Sequence, residues 1–219
     1  MGQIERILAA LAAEPDPHTS VSEPQAALEV HVADALSGLE VDELRGARRV
    51  ADIGAGAGFP GLALAIALPQ AQVDLVESVG RKTALMDRLI QVGGVSNARS
   101  ITARAEELGG VAAAVGGGRE AYDAVTARAV GSLAVLVEYA APLLRPGGVL
   151  VAWKGARDEG EEATGADAAR QVGMAVKGVL PVQPYPSSEN RHLHVFHKIS
   201  PTPAGFPRRP GMARKRPLA

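Results

Sequence analysis

A chain of 219 residues, 47% hydrophobic and 21% charged, has the length and balance of one globular domain with a substantial buried core. It contains no cysteine, which excludes a disulfide framework, a thiolate metal site and a cysteine nucleophile. No apolar run approaches the length of a bilayer span. The net charge of −1 hides an asymmetry: 18 basic and 24 acidic residues precede Pro201, a balance of −6, and the last 19 residues carry five basic side chains and no acid.

The opening "MGQIERILAALAAEP" is too polar to read as a secretory signal, so a cytoplasmic protein with no membrane association is expected. Ile4, Ile7, Leu8 and Leu11 fall at helical spacing, which predicts an amphipathic helix over 2–13, broken by Pro15 and Pro17. Ser22 followed by Glu23 and Pro24 predicts an N-cap and first turn, with the helix running to about Leu36. From residue 48 onward strands and helices alternate. Strands are predicted at "RRVADI", "AQVDLVE", "ARSITA", "YDAVTA" and "VLVAWK", with helices over 60–68, 80–93, 104–115, "SLAVLVEYAAPLL" and about 158–174. "RPGG" reads as a turn, and "AVKGVLPVQ" and "HLHVFHKI" follow each other without a helix between them. Repeated strand–helix units require a mostly parallel sheet covered on both faces, and the two consecutive last strands add an antiparallel edge. Three regions are expected: a helical extension over 1–46, an α/β domain over 47–200 and a basic tail over 201–219.

The chemistry concentrates in "VADIGAGAGFPGLALAI", where a strand runs into a glycine turn and then a helix. Such a turn lets the backbone bend sharply and approach a ligand at the carboxyl end of the sheet. Two frames fit. Gly56, Gly58 and Gly61 match the dinucleotide pattern, with Glu77 at the distance of a ribose-binding acid. Asp52, Gly54, Gly56 and Gly58 form the other frame, an acid before three alternating glycines, which resembles the first motif of class I methyltransferases that bind S-adenosylmethionine. No Gly-Lys-Ser or Gly-Lys-Thr follows, which excludes a phosphate-binding P-loop. Glu77 closes the second strand, where a carboxylate can accept both ribose hydroxyls, and Ala105-Glu106 follow the third, beside an adenine edge. Arg128 follows the fourth strand, at the ligand end of the sheet, and Lys154 ends the fifth, where it can meet a phosphate. His31 and Asp34 share one face of their helix. His192 and His194 alternate on a strand with no third ligand, so no metal site is expected.

"DIGAGAGFPG", "VESVGRK", "ARAEEL", "TARAV" and "PGGVLVAWKG" together resemble the RsmG (GidB) family. The likeness continues in "LEVHVADAL", "ENRHLHVFHK" and "FPRRPGMARKRPL", and spans roughly residues 18–218. "MARK" departs from the family's threonine-proline in the tail, and the Gly116–Gly118 run lengthens a loop. The resemblance implies a Rossmann-like class I fold with seven strands, the last antiparallel. It implies methyl transfer from S-adenosyl-L-methionine, leaving S-adenosyl-L-homocysteine, to a guanine N7 of 16S ribosomal RNA, free or in the small ribosomal subunit. The cofactor site it implies comprises Gly54, Phe59, Glu77, Ala105, Glu106 and Arg128. His31 and Asp34 are placed at the substrate mouth, and Arg191 and His192 towards RNA. Guanine N7 is an acceptor with no proton to lose, so Arg128, Lys154, His31 and Asp34 are expected to position reactants, with no general base. A body of net negative charge leaves RNA attraction to the tail: Arg208, Arg209, Arg214, Lys215 and Arg216. A monomer is expected. Transfer to another RNA or a small molecule, an NAD-binding module and a noncatalytic ribosome-assembly factor are the competing readings.

Overall fold

The structure is a computed structural model and describes residues 2–19, 21 and 23–219. The expected N-cap at Ser22 lies outside the described residues. Seven strands form one sheet: β1 (Arg49–Ile53), β2 (Gln72–Glu77), β3 (Ala98–Thr102), β4 (Tyr122–Arg128), β5 (Leu144–Lys154), β6 (Met174–Val182) and β7 (Arg191–Lys198). Their order is β3-β2-β1-β4-β5-β7-β6. The first five run parallel, and β7 is antiparallel to both of its neighbours. The last strand of the chain is therefore inserted inside the sheet, and the strand before it takes the edge.

Chain direction along the sheet reverses between β1 and β4, the switch point where open α/β sheets bind ligands. Register there matters, because Asp52 of β1 lies beside Thr126 of β4. Both faces are covered, which explains why the central strands read as continuous apolar runs. One core joins β-strand residues such as Val50 and Val73 to Leu62 and Leu64 of α5 (Gly61–Ala67) and to Leu85 and Met86 of α6 (Gly80–Gly93). Ile7, Leu8 and Leu11 of α1 (Gln3–Ala12) belong to that same core, as do Ala27, Ala35 and Leu44 from the following helical turns. The helical extension is thus part of the main core and not a separate layer.

The second helix is not uniform. It begins as α2 (Pro24–Ala27), widens into a π-helical turn over Leu28–Ala33, and resumes as α3 (Asp34–Leu36). A 3₁₀ turn Ser37–Glu40 and α4 (Asp42–Arg45) lead into the sheet. The other face packs α7 (Ala105–Gly110), α8 (Leu133–Ala140) and α9 (Glu159–Gln171). Its core also takes in Ala213 and Leu218 from the C-terminal segment.

Two local expectations change. The helix predicted over 104–115 stops at Gly110, because Val111 is extended, and a short 3₁₀ turn Ala113–Val115 follows. "RPGG" does not separate helix from strand: β5 already starts at Leu144, and the register with β4 shifts from Tyr122 to Ala124 as a bulge. The tail is not a free appendage. Lys198, fully buried, donates to the Ser200 carbonyl at 2.6 Å and to Thr202 Oγ1 at 2.8 Å, fixing where the tail leaves the sheet. Arg119 donates to the Phe206 carbonyl at 2.9 Å, and α10 (Met212–Lys215) packs against α8.

Candidate active site

The glycine turn is built from beneath. Asp52 is fully buried, and its two oxygens accept from the Gly61 N–H and the Thr126 hydroxyl, each at 2.9 Å. Burial pushes its pKa up to about 6 against those hydrogen bonds. Gly54, Gly56 and Gly58 all take positive φ, at 66°, 60° and 95°. At Gly54 a Cβ would also stand 2.6 Å from Val130 Cγ2, so any side chain there would be strained and would force Val130 to shift.

Above the turn lie two cavities that share Gly54 and Ala129 on their rims. The first, of about 310 Å³, runs from the end of β1 across the ends of β2 and β3. Glu77 closes β2 on its wall, accepting from the N–H groups of Val79 at 3.1 Å and Gly56 at 3.3 Å. Lys82 Nζ stands 3.8 Å from the same carboxylate. Ala105 and Glu106 line the far end, with Tyr139 and Arg214 opposite.

The second cavity, of about 330 Å³, opens between the glycine turn, β4 and the π-helical turn. Arg128 donates to Asp34 Oδ2 at 2.7 Å and to the Val30 carbonyl at 2.9 Å. The His31 ring stacks on Phe59, centroids 5.1 Å apart, and its Nε2 lies 3.0 Å from both the Val21 carbonyl and Thr19 Oγ1. Burial holds the His31 pKa below its ordinary value, so the ring is neutral near pH 7. Arg191 completes the mouth, its guanidinium 3.4 Å from the Tyr185 hydroxyl.

Of the residues expected at the cofactor, the first cavity gathers Gly54, Glu77, Ala105 and Glu106, and Gly56 reaches it through its bond to Glu77. Four others lie outside its lining. Asp52 has no surface in the cavity and acts as the clamp under the turn. Gly58 packs on Leu62 below the turn. Phe59 and Arg128 face the second cavity. Lys154 enters neither: it pairs with Glu161 at 2.7 Å and donates to the Gly131 carbonyl, tying β5 to α9.

Two basic residues of the tail bond within the fold. Arg208 forms a two-pronged pair with Glu138, which is 1% exposed, and is taken up by the fold. Arg214 donates to the Val130 carbonyl at 2.8 Å on the cavity rim, and the Gly211 N–H donates to Glu106 at 2.8 Å. The tail therefore straps the Glu106 end of the first cavity. Arg208 is half-buried, whereas Arg209, Arg214, Lys215 and Arg216 are exposed, Arg214 while bonded to the rim. His192 turns to the Gly155 carbonyl at 2.9 Å, beside the mouth. His194 pairs with Glu162, and among the described residues no group of three or more metal-ligating side chains comes together. Tyr139 was not singled out from sequence, because a lone hydroxyl inside an apolar run carries no spacing signal. Thr126 entered as the first residue of "TARAV", with no role assigned to it.

The first cavity fits an adenosyl group: a carboxylate faces the ribose position, backbone approaches closely at Gly54, and the volume suits a small ligand. This strand order, with that cavity at its switch point, defines a class I S-adenosylmethionine-dependent methyltransferase. Residues 16–191 match the rRNA small subunit methyltransferase G family, and the chain belongs to that family. It is 43% identical over 199 residues to "Ribosomal RNA small subunit methyltransferase G" of Rubrobacter xylanophilus, covering 90% of this chain and 75% of that one. The protein of the same name from Roseiflexus castenholzii is 46% identical over 170 residues, covering 78% and 70%. Solved structures share the fold. A variant of MtNAS in complex with S-adenosylmethionine superposes with a TM-score of 0.59 at 15% identity, over 90% of this chain and 72% of that one. A 16S rRNA (adenine(1408)-N(1))-methyltransferase from Catenulisporales acidiphilia gives 0.56 at 18% identity, over 75% and 92%.

Proposed function

We propose that this chain transfers a methyl group from S-adenosylmethionine to N7 of a guanine in 16S ribosomal RNA, free or within the small subunit, as a cytoplasmic monomer. The carrying observation is the pair of cavities meeting at Gly54 and Ala129, one shaped for the donor and one open to an acceptor. The cofactor supplies an electrophilic sulfonium methyl. Glu77 accepts the ribose hydroxyls, Gly54 lets the backbone close on the chain of the ligand, and Ala105 and Glu106 bound the adenine. Arg128, pinned by Asp34 and the Val30 carbonyl, fixes the wall between the two cavities. A guanine N7 brings its own lone pair and releases no proton, so these groups position the reactants and none acts as a base.

The regions divide the work. Residues 1–46 wall the acceptor cavity, 47–200 carry the transferase core, and 201–219 strap the cofactor. Arg191, His192, Arg209, Lys215 and Arg216 face the RNA, holding it by its phosphates. No helix among the described residues is long and apolar enough to cross a membrane. The test supplies labelled S-adenosylmethionine and small subunits from a strain lacking this gene, then maps N7-methylguanine by chain cleavage at the modified base. Label at one guanine is expected; label on another atom or none on rRNA rejects the assignment.

A further inference from the structure

Two residues that line the acceptor cavity each hold a buried polar atom with no hydrogen-bond partner, Asp34 Oδ1 and His31 Nδ1. Unpaired buried polar groups are rare in folded proteins, because each has lost its water without gaining a partner. Both of these are acceptors. The Asp34 carboxylate uses Oδ2 on Arg128 and leaves Oδ1 bare. His31 faces the Val21 carbonyl through Nε2, so Nε2 carries the proton and Nδ1 presents a lone pair. The two residues line the acceptor cavity and are absent from the wall of the cofactor cavity.

A guanine whose N7 points to the shared rim at Gly54 and Ala129 turns its opposite edge towards this wall. That edge bears two adjacent donors, N1–H and the 2-amino group. Adenine offers an acceptor at N1 and no 2-amino group, and both pyrimidines lack N7. We propose that Asp34 Oδ1 and His31 Nδ1 are the acceptor pair that reads the N1–H and 2-amino edge of the target guanine, so that this wall selects the base while the rim selects the atom. The proposal rests on the guanine-N7 reading above and adds the residues that make it specific for guanine. Arg128 has a second role here: by holding Oδ2 it aims Oδ1.

The test uses small-subunit rRNA carrying either guanosine or inosine at the mapped position. Inosine keeps N7 and N1–H and lacks only the 2-amino group. The wild-type protein is expected to prefer guanosine in kcat/KM by about 5- to 100-fold, the range for one lost hydrogen bond in a buried site. Asp34→Asn keeps the shape and replaces the bare acceptor with a donor. It is expected to lower kcat/KM on guanosine at least about tenfold, to bring the guanosine-to-inosine ratio near one, and to leave the dissociation constant for S-adenosylmethionine within about threefold. A wild-type ratio near one overturns the proposal without any variant. So does an Asp34→Asn protein that keeps the full ratio. Loss of cofactor affinity with the ratio kept assigns Oδ1 to the ligand's ammonium group, which also overturns it. A wild-type protein that methylates no guanine in the particle removes the underlying reading, an outcome distinct from the others.

Discussion

Thr126 gives its hydroxyl to the most deeply buried carboxylate at the site, Asp52, and that single bond makes a testable demand. Thr126→Val keeps the shape and leaves Asp52 Oδ1 without a donor, so it should cost about 1–3 kcal/mol of stability. The sign with pH follows from the raised pKa of Asp52. Its folded pKa of about 6 lies above the ordinary 3.8, so burying its charge costs stability above pH 6, and acidification relieves that cost. Removing a donor raises the folded pKa further. Denaturant unfolding should therefore show the full deficit of the variant at pH 8 and a smaller one at pH 5. A deficit that grows on acidification would reject the clamp. At the ligand itself, Glu77→Gln should weaken S-adenosylmethionine binding about 10-fold or more by calorimetry, since a carboxylate accepting hydroxyls is traded for a neutral amide. At this scale the sequence was informative about which residues matter and silent about where they face. Asp52 was found from its spacing to the glycines, but spacing does not tell the upper side of a turn from the lower. Phe59 was likewise found, one cavity away from where it was expected.

Among the elements, the C-terminal segment differs most from its reading as sequence. Five basic residues without an acid describe a solvated arm as well as they describe a strap, because composition does not reveal partners distant in the chain. The partners are Glu138 in the middle of an apolar helix and Glu106 at the start of another, 70 and 105 positions away. Arg208→Ala leaves the Glu138 carboxylate buried and unpaired, a defect worth about 3–5 kcal/mol when the site cannot relax. The tail relaxes instead by undocking. Limited proteolysis should then cut within 201–219 much faster than in the wild type, while the sheet stays intact. Arg214→Ala removes one charge-assisted bond to Val130 and should weaken the cofactor about tenfold. The parallel core, by contrast, was legible nearly residue for residue: α6 spans the 14 residues its pattern predicts. Helical periodicity and apolar strand runs are local signals, and the π-helical turn at Leu28–Ala33, which spreads His31 and Asp34 along the cavity wall, has none.

For the whole molecule, charge divides labour between the two faces of one short segment. On the proposed function, the inner face of the tail borders the cofactor cavity through Gly211 and Arg214, and the outer face offers Arg209, Lys215 and Arg216 to a polyanion. Replacing these three with Gln should lower the slope of log affinity for rRNA against log salt by about 0.7–0.9 per lost phosphate contact. Cofactor affinity should not change. Deleting 201–219 should damage both, and also expose the apolar surface now covered by Ala213 and Leu218. Equal loss of cofactor binding in the triple Gln variant and in the deletion would show that the faces are not separable.

The strap over the Glu106 end also bears on the timing of turnover. Arg214 and Gly211 border one side of a cavity that is otherwise open to solvent, so on the proposed function RNA held by this segment would press on the rim of the donor site. RNA bound there should then slow the exchange of both the donor and the spent cofactor. Rapid-mixing assays check this: a first round of methylation faster than the steady rate is the expected outcome, and equal rates would reject it.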